Sequence, residues 1–273
     1  MNKKIPVRFF VITFLWSWLI WLPFVLAGFG ILNISEDLML SLSLPIVILG
    51  AFGPAVGAVY TVKTLEGNVG LKKFLKSFLD PGFSLKLWAS IFLVLGLATF
   101  AAWYVPELFG FERVEMMLPS LYIFPVYWLV MVLLGGGQEE IGWRGYIMPL
   151  LESRFGLWTG NIILGLIWAF WHLPLWFIPG TLQTYMPFVA FTIGCIGLSF
   201  FLSWVIKKSN GRPLSGLIAH GTFNAFLPVF PPVIMEADVF QLRFWTLEIL
   251  LLFTGILLLW QIAKQSNRKN RAT

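Results

Sequence analysis

Two histidines, His172 and His220, are all that this chain of 273 residues contains. Each lies in a long stretch otherwise free of charge, and a third such stretch runs into the pair Glu139-Glu140, with Arg144 one helical turn further on. With Asn224 these residues occupy three short segments: GGGQEEIGWRGYIMP (135–149), WAFWHLP (168–174) and AHGTFNAF (219–226). Glu, two His and Asn suffice to activate a water and to stabilise the tetrahedral intermediate that forms when it attacks a carbonyl. A carboxylate held in apolar surroundings suits a general base at neutral pH. Two hydrogen-bond donors converging on one oxygen make an oxyanion hole.

The spacing says which residues would share this work. Glu140 and Arg144 are i and i+4 on a helix, so they share a face and can pair. Glu139 is turned about 100° from Glu140 and is free to point toward the histidines. His220 and Asn224 are again i and i+4, and as two donors on one face they suit a common oxygen. Blander readings stand beside these. Glu140 with Arg144 reads equally well as a structural ion pair, and either histidine alone as a hydrogen-bonded interior residue. Glu139 is the one buried carboxylate with no evident partner. Nucleophilic chemistry finds less support: the span around Cys195 has no acid or base near it, and neither a G-x-S-x-G elbow nor an H-E-x-x-H helix occurs.

The elements that must position these groups are membrane helices. The chain is 58% hydrophobic and only 12% charged, about half the charge of a soluble domain, with mean hydropathy +0.83. Residues 9–35, 38–62, 87–106, 116–138, 155–206 and 213–235 contain no Asp, Glu, Lys or Arg. Each run reaches the roughly 20 residues that carry a helix across a hydrocarbon core, and the longest holds two spans divided near Pro179-Gly180 and Pro187. A last span fits 244–263, with Glu248 close to one end. The sequence thus predicts an all-α polytopic membrane protein with about eight transmembrane helices around an intramembrane cavity. They fall near 7–32, 43–64, 85–105, 124–151, 159–179, 187–206, 213–230 and 242–263, in a single membrane domain over residues 1–273. The first span resembles a signal peptide but is too long for a cleaved one. Gly50, Gly53, Gly57, Gly194 and Gly197 mark close helix packing, and 66–80 an amphipathic helix on the membrane surface.

Charge gives the orientation. All but three of the nineteen basic residues fall on one side: Lys3, Lys4 and Arg8, the cluster from Lys63 to Lys86, Arg154, Lys207, Lys208 and Arg212, and Lys264, Arg268, Lys269 and Arg271. Arg113 and Arg243 lie on the other, and Arg144 within a span. The positive-inside rule puts both termini in the cytoplasm, in a cell membrane. It also assigns the net charge of +6 to orientation and anionic lipid rather than to nucleic acid. Counted from these helix ends at 1.5 Å per residue, Glu139, His172, His220 and Asn224 reach overlapping depths of roughly 10–20 Å. They are therefore expected to meet in one cavity.

At the three segments the chain resembles the CAAX prenyl protease type II and bacteriocin-processing family, the CPBP or Abi intramembrane endopeptidases. Glu139-Glu140-Ile-Gly-Trp-Arg144 matches the E-E-x-x-x-R motif, Trp168-Ala-Phe-Trp-His172 matches F-x-x-x-H with Trp for Phe, and His220-Gly-Thr-Phe-Asn224 matches the third. The resemblance covers about 120–230. It implies that Glu139 and His172 activate water, that His220 and Asn224 bind the oxyanion, and that Glu140 and Arg144 shape the site. The Trp for Phe exchange is expected to alter packing more than chemistry. The substrate implied is a membrane-associated peptide or protein. Short bacterial-looking loops point to bacteriocin-related precursors or partner membrane proteins rather than to prenylated tails. Zn2+ held by Glu139, His172 and His220 is one option for the water's activation. A metal-free mechanism is preferred, since Glu140, the one carboxylate placed to orient a ligating histidine, is taken by Arg144. A non-proteolytic scaffold with the same fold and a proton-coupled transporter are the competing functions.

Overall fold

The structure, a computed structural model, describes residues 5–272, with their side chains except at positions 40 and 266–272. Lys3 and Lys4, and the side chains of Arg268, Lys269 and Arg271, which the orientation also draws on, lie outside the described residues. The described chain is helical, and seven stretches in it are long and apolar enough to cross a membrane. The main helices are α1 (Val7–Gly28), α2 (Glu36–Ala51), α3 (Gly53–Lys76), α4 (Leu85–Tyr104) and α5 (Phe124–Leu134), followed by the short α6 (Glu140–Gly142) and α7 (Met148–Phe155). Then come α8 (Leu157–His172), α9 (Phe188–Lys208), α10 (Leu214–Phe226) and α11 (Leu242–Ala272). The eighth expected span is α10, which at 13 residues is shorter than a full crossing and lies almost wholly buried among the others.

α9 is the central post. Of its most apolar window 72% is buried, against 22–44% for the other spanning stretches, so it has protein rather than lipid around it. Small residues let neighbours reach it. A Cβ at Gly165 of α8 would fall 2.7 Å from Ile196 Cα, and one at Gly197 2.6 Å from Leu252 Cα on α11. α1 and α3 pack by the same means, with Gly53 and Gly57 against the Thr13, Ser17 and Phe9 positions. The Ser17 hydroxyl lies 2.7 Å from the Gly50 carbonyl of α2 and accepts a 2.8 Å bond from Trp171 Nε1 of α8.

Several boundaries depart from the sequence expectation, each for a local reason. The helix expected over 43–64 is two, α2 and α3, meeting at Phe52. The amphipathic 66–80 segment continues α3 beyond Gly67, whose φ of 68° and ψ of −167° kink the chain. Lys72, Lys73 and Lys76 stay exposed there, while Phe74 and Phe78 turn inward to meet Tyr146 and Gly145. The helix expected over 159–179 gives way to a 3₁₀ turn, Leu173–Phe177, because Pro174 has no N–H to continue the ladder. The helix expected to run unbroken over 124–151 stops at Leu134. It resumes after a turn through Gly135, Gly136 and Gly137, and passes through a π-turn at Trp143–Ile147. That break builds the site.

Candidate active site

Gly136 has φ 124°, in a region that favours glycine, and its missing side chain matters as well. A Cβ there would lie 2.8 Å from His220 Nε2 and closer still to Asn224 Nδ2. The turn therefore passes directly against α10. It is tied there by Asn224 Nδ2, which donates to the Gly135 carbonyl at 2.5 Å, and braced by the Gly136 N–H donating to Gln138 Oε1 at 2.8 Å. Glu139 and Glu140 follow at once, 5% and 0% exposed, pointing to different partners as their 100° offset requires.

Glu140 is locked. Its Oε1 accepts from Arg144 Nη1 at 2.9 Å and from His220 Nδ1 at 2.8 Å. The Arg144 guanidinium, itself buried, also lies over the Trp168 ring, 4.4 Å from its centroid, a cation–π contact in a desolvated setting. The expectation that Arg144 takes Glu140 for itself is thus corrected: one carboxylate oxygen serves both the arginine and the histidine. The support this lent to a metal-free mechanism falls with it, since His220 does have a carboxylate on its far ring nitrogen.

Glu139 is held by one oxygen. Trp168 Nε1 donates to its Oε2 at 2.8 Å, and its Oε1 faces His172 Nε2 across 4.0 Å. That gap is too long for a direct hydrogen bond and suits one water donating to both. His172 Nδ1 lies 2.9 Å from the Trp168 carbonyl. A carbonyl only accepts, so Nδ1 carries the proton and Nε2 presents its lone pair to Glu139. Trp171 and Phe191 clasp the ring edge-on, with centroids at 4.5 and 5.1 Å. On α10, His220 Nε2 and Asn224 Nδ2 are 3.4 Å apart, side by side as the i,i+4 spacing requires. With Nδ1–H on Glu140, Nε2 donates when the ring carries both protons.

The groups open on a cavity of about 320 Å³, within the usual size range of small-molecule sites. Glu139, Trp168, His172, His220 and Asn224 line it. All four residues expected to do chemistry are thereby brought together, with Glu140 and Arg144 directly behind them. Among the described residues no group of three His, Cys, Asp or Glu side chains is gathered closely enough to hold a metal ion. The set Glu139, His172 and His220 does not fit one in this geometry.

Two residues escaped the sequence reading. Trp168 does more than pack: its indole N–H holds Glu139, a bond Phe cannot make, and its carbonyl holds His172. The signal was there in the exchange of a ring with a donor for one without. Glu248, expected near a helix end, is 5% exposed and lines the same cavity, so Glu139 is not the lone buried carboxylate short of a charged partner. Glu248 also approaches Gly194 so closely that a Cβ there would overlap its carboxylate. Cys195 beside it, expected to have no acid nearby, borders the cavity with it.

Fold and site together define a polytopic helical membrane protein with a buried carboxylate–histidine cluster facing an internal cavity. Residues 120–226, which hold all six candidate residues, match the sequence model of the family described as type II CAAX prenyl endopeptidase Rce1-like. Over 239 residues, 81% of this chain and 83% of the relative, the sequence is 23% identical to CAAX prenyl protease 2 of Methanococcus maripaludis. The resemblance carried by the three motifs is thereby upheld.

Proposed function

We propose that this protein is an intramembrane endopeptidase that hydrolyses a peptide bond in a membrane-associated peptide or protein. One observation carries the reading. Glu139 Oε1 and His172 Nε2, both acceptors, face each other across 4.0 Å at the wall of a cavity, and Trp168 fixes the far side of each. A water between them donates one hydrogen to each and turns its lone pair outward. As it attacks the substrate carbonyl carbon, Glu139 takes its proton. The C=O electrons move onto oxygen, where the Asn224 amide and the doubly protonated His220 donate. When the intermediate collapses the C–N bond breaks, and Glu139 returns the proton to the leaving amine. The family match favours this reading over a scaffold or a proton-coupled transporter. Comparing membrane peptides of cells carrying the wild-type protein with those carrying Glu139→Gln tests it. Substrate fragments present with the first and absent with the second support hydrolysis, and identical peptide sets oppose it.

Two further features belong to the proposal. Hydrolysis runs without a tightly bound metal, because Glu139, His172 and His220 do not gather into a ligand set. Purified active protein should carry no stoichiometric zinc and keep its activity through prolonged chelation. Zinc whose removal abolishes activity and whose return restores it would make His220 a ligand. The chain is one membrane domain in the cell membrane with both termini cytoplasmic, supported by the basic asymmetry of the loops. A cysteine replacing Glu112 should react with an impermeant reagent applied outside, and one replacing Lys208 should not. The reverse pattern would invert the orientation.

A further inference from the structure

Glu248 takes no part in the chemistry above, yet a buried carboxylate in an apolar wall needs a reason. It lies on α11 about 9 Å from the helix start at Leu242 (1.5 Å per residue) and is 5% exposed. Among the described residues no side chain or backbone group donates to it. The nearby bases are engaged elsewhere. Arg243, its neighbour on α11, is turned toward the Trp103 and Glu112 carbonyls, and Arg144 is spent on Glu140. Room is made for it by Gly194 of α9, where any Cβ would overlap the carboxylate. Its wall also carries Phe244, Leu247 and Leu251. An unpaired carboxylate is costly in such surroundings, whereas a paired one is far less so. The helix crossing thus keeps a carboxyl group for something that enters from the cavity.

We infer that Glu248 is a specificity site that pairs with the ammonium or guanidinium of a lysine or arginine set among apolar residues in the bound peptide. The inference rests on the endopeptidase reading for its occupant being a peptide. The selection works chiefly by rejection. A neutral side chain at this position leaves Glu248 buried without a partner, and an acidic one adds a like charge, while a basic one satisfies both itself and the wall. The catalytic cluster and Glu248 line the same cavity, so a single extended segment can present its scissile carbonyl to Glu139 and its basic side chain to Glu248.

The test is a binding measurement in lipid nanodiscs with full-length protein carrying Glu139→Gln, which removes both turnover and the other cavity carboxylate without an evident charged partner. The probes are a leucine-rich peptide with one central lysine and its norleucine, acetyl-lysine and glutamate counterparts. The lysine peptide should bind at least about tenfold more tightly than the norleucine and acetyl-lysine peptides. That margin should vanish when Glu248→Gln is added, and should shrink with Gly194→Ala, whose added methyl displaces the carboxylate. Equal binding of lysine and acetyl-lysine peptides overturns the inference without any change at Glu248. So does a lysine preference that survives Glu248→Gln. The two readings fail separately. Glu248-dependent binding of the lysine peptide, together with identical membrane peptide sets for the wild-type and Glu139→Gln proteins, leaves the cation site standing and removes the endopeptidase.

Discussion

Glu139 and Glu140 are consecutive residues, both buried, and their surroundings differ in every respect that bears on reactivity. Glu140 has an arginine and a histidine on its Oε1, and its Oε2, unpartnered among the described residues, is buried in a residue that does not line the cavity. Glu139 has one neutral donor, the Trp168 indole, and an open side toward His172 and the cavity. A single step along a helix, 100° of rotation, thus separates a carboxylate that organises the site from one free to react. The lesson is that charge alone does not mark the base. Which carboxylate has an unfilled acceptor facing the cavity does.

The contrast can be broken from either side. Arg144→Ala is expected to have the largest effect on stability. It leaves Glu140 buried without its counter-charge, a class of change that costs about 3–5 kcal/mol, and it uncovers the Trp168 ring as well. Thermal or denaturant unfolding in detergent should show the loss, with activity falling alongside. Wild-type stability in this variant would mean that Glu140 does not depend on the pair. A smaller effect on stability, together with a loss of function, is expected for Trp168→Phe. The ring is kept and one hydrogen bond to an ionised partner is lost, worth about 1.5–3 kcal/mol. Unfolding should become easier by no more than that amount, and the rate constant of the chemical step should fall by about 10–100-fold, because Glu139 loses the anchor that aims it at His172. Unchanged turnover would return Trp168 to a packing role and would leave the two carboxylates less distinct than the geometry implies.

Much of this was legible in the sequence because ionisable groups are conspicuous in apolar runs. His172, His220, Glu139 and Arg144 could be picked out by their expense, and the i,i+4 pairs Glu140–Arg144 and His220–Asn224 came straight from helical geometry. What the sequence hid was tertiary. The glycines at 135–137 look like any packing glycines in a hydrophobic run. That they break a helix depends on Gly136 pressing against His220 and Asn224, 84 and 88 residues further along the chain. The second partner of Glu140 is likewise 80 residues away. Trp168 was read by its size, since nothing local reveals where an indole N–H points. Glu248 was read as a residue near a helix end, and only the approach of α9 through Gly194 makes it part of the cavity.

The central claim is that Glu139, and not its neighbour, activates the water. Its most direct measurement pairs Glu139→Gln with Glu140→Gln, each purified and assayed for cleavage of a membrane peptide identified from the wild-type comparison and for resistance to unfolding. Glu139→Gln should be as stable as the wild type or more so, since it removes a buried charge, and should show no detectable turnover. Glu140→Gln, which leaves Arg144 without its counter-ion, should unfold more easily and keep activity in proportion to the folded fraction whose histidine remains in place. Full turnover by a well-folded Glu139→Gln protein would contradict the account.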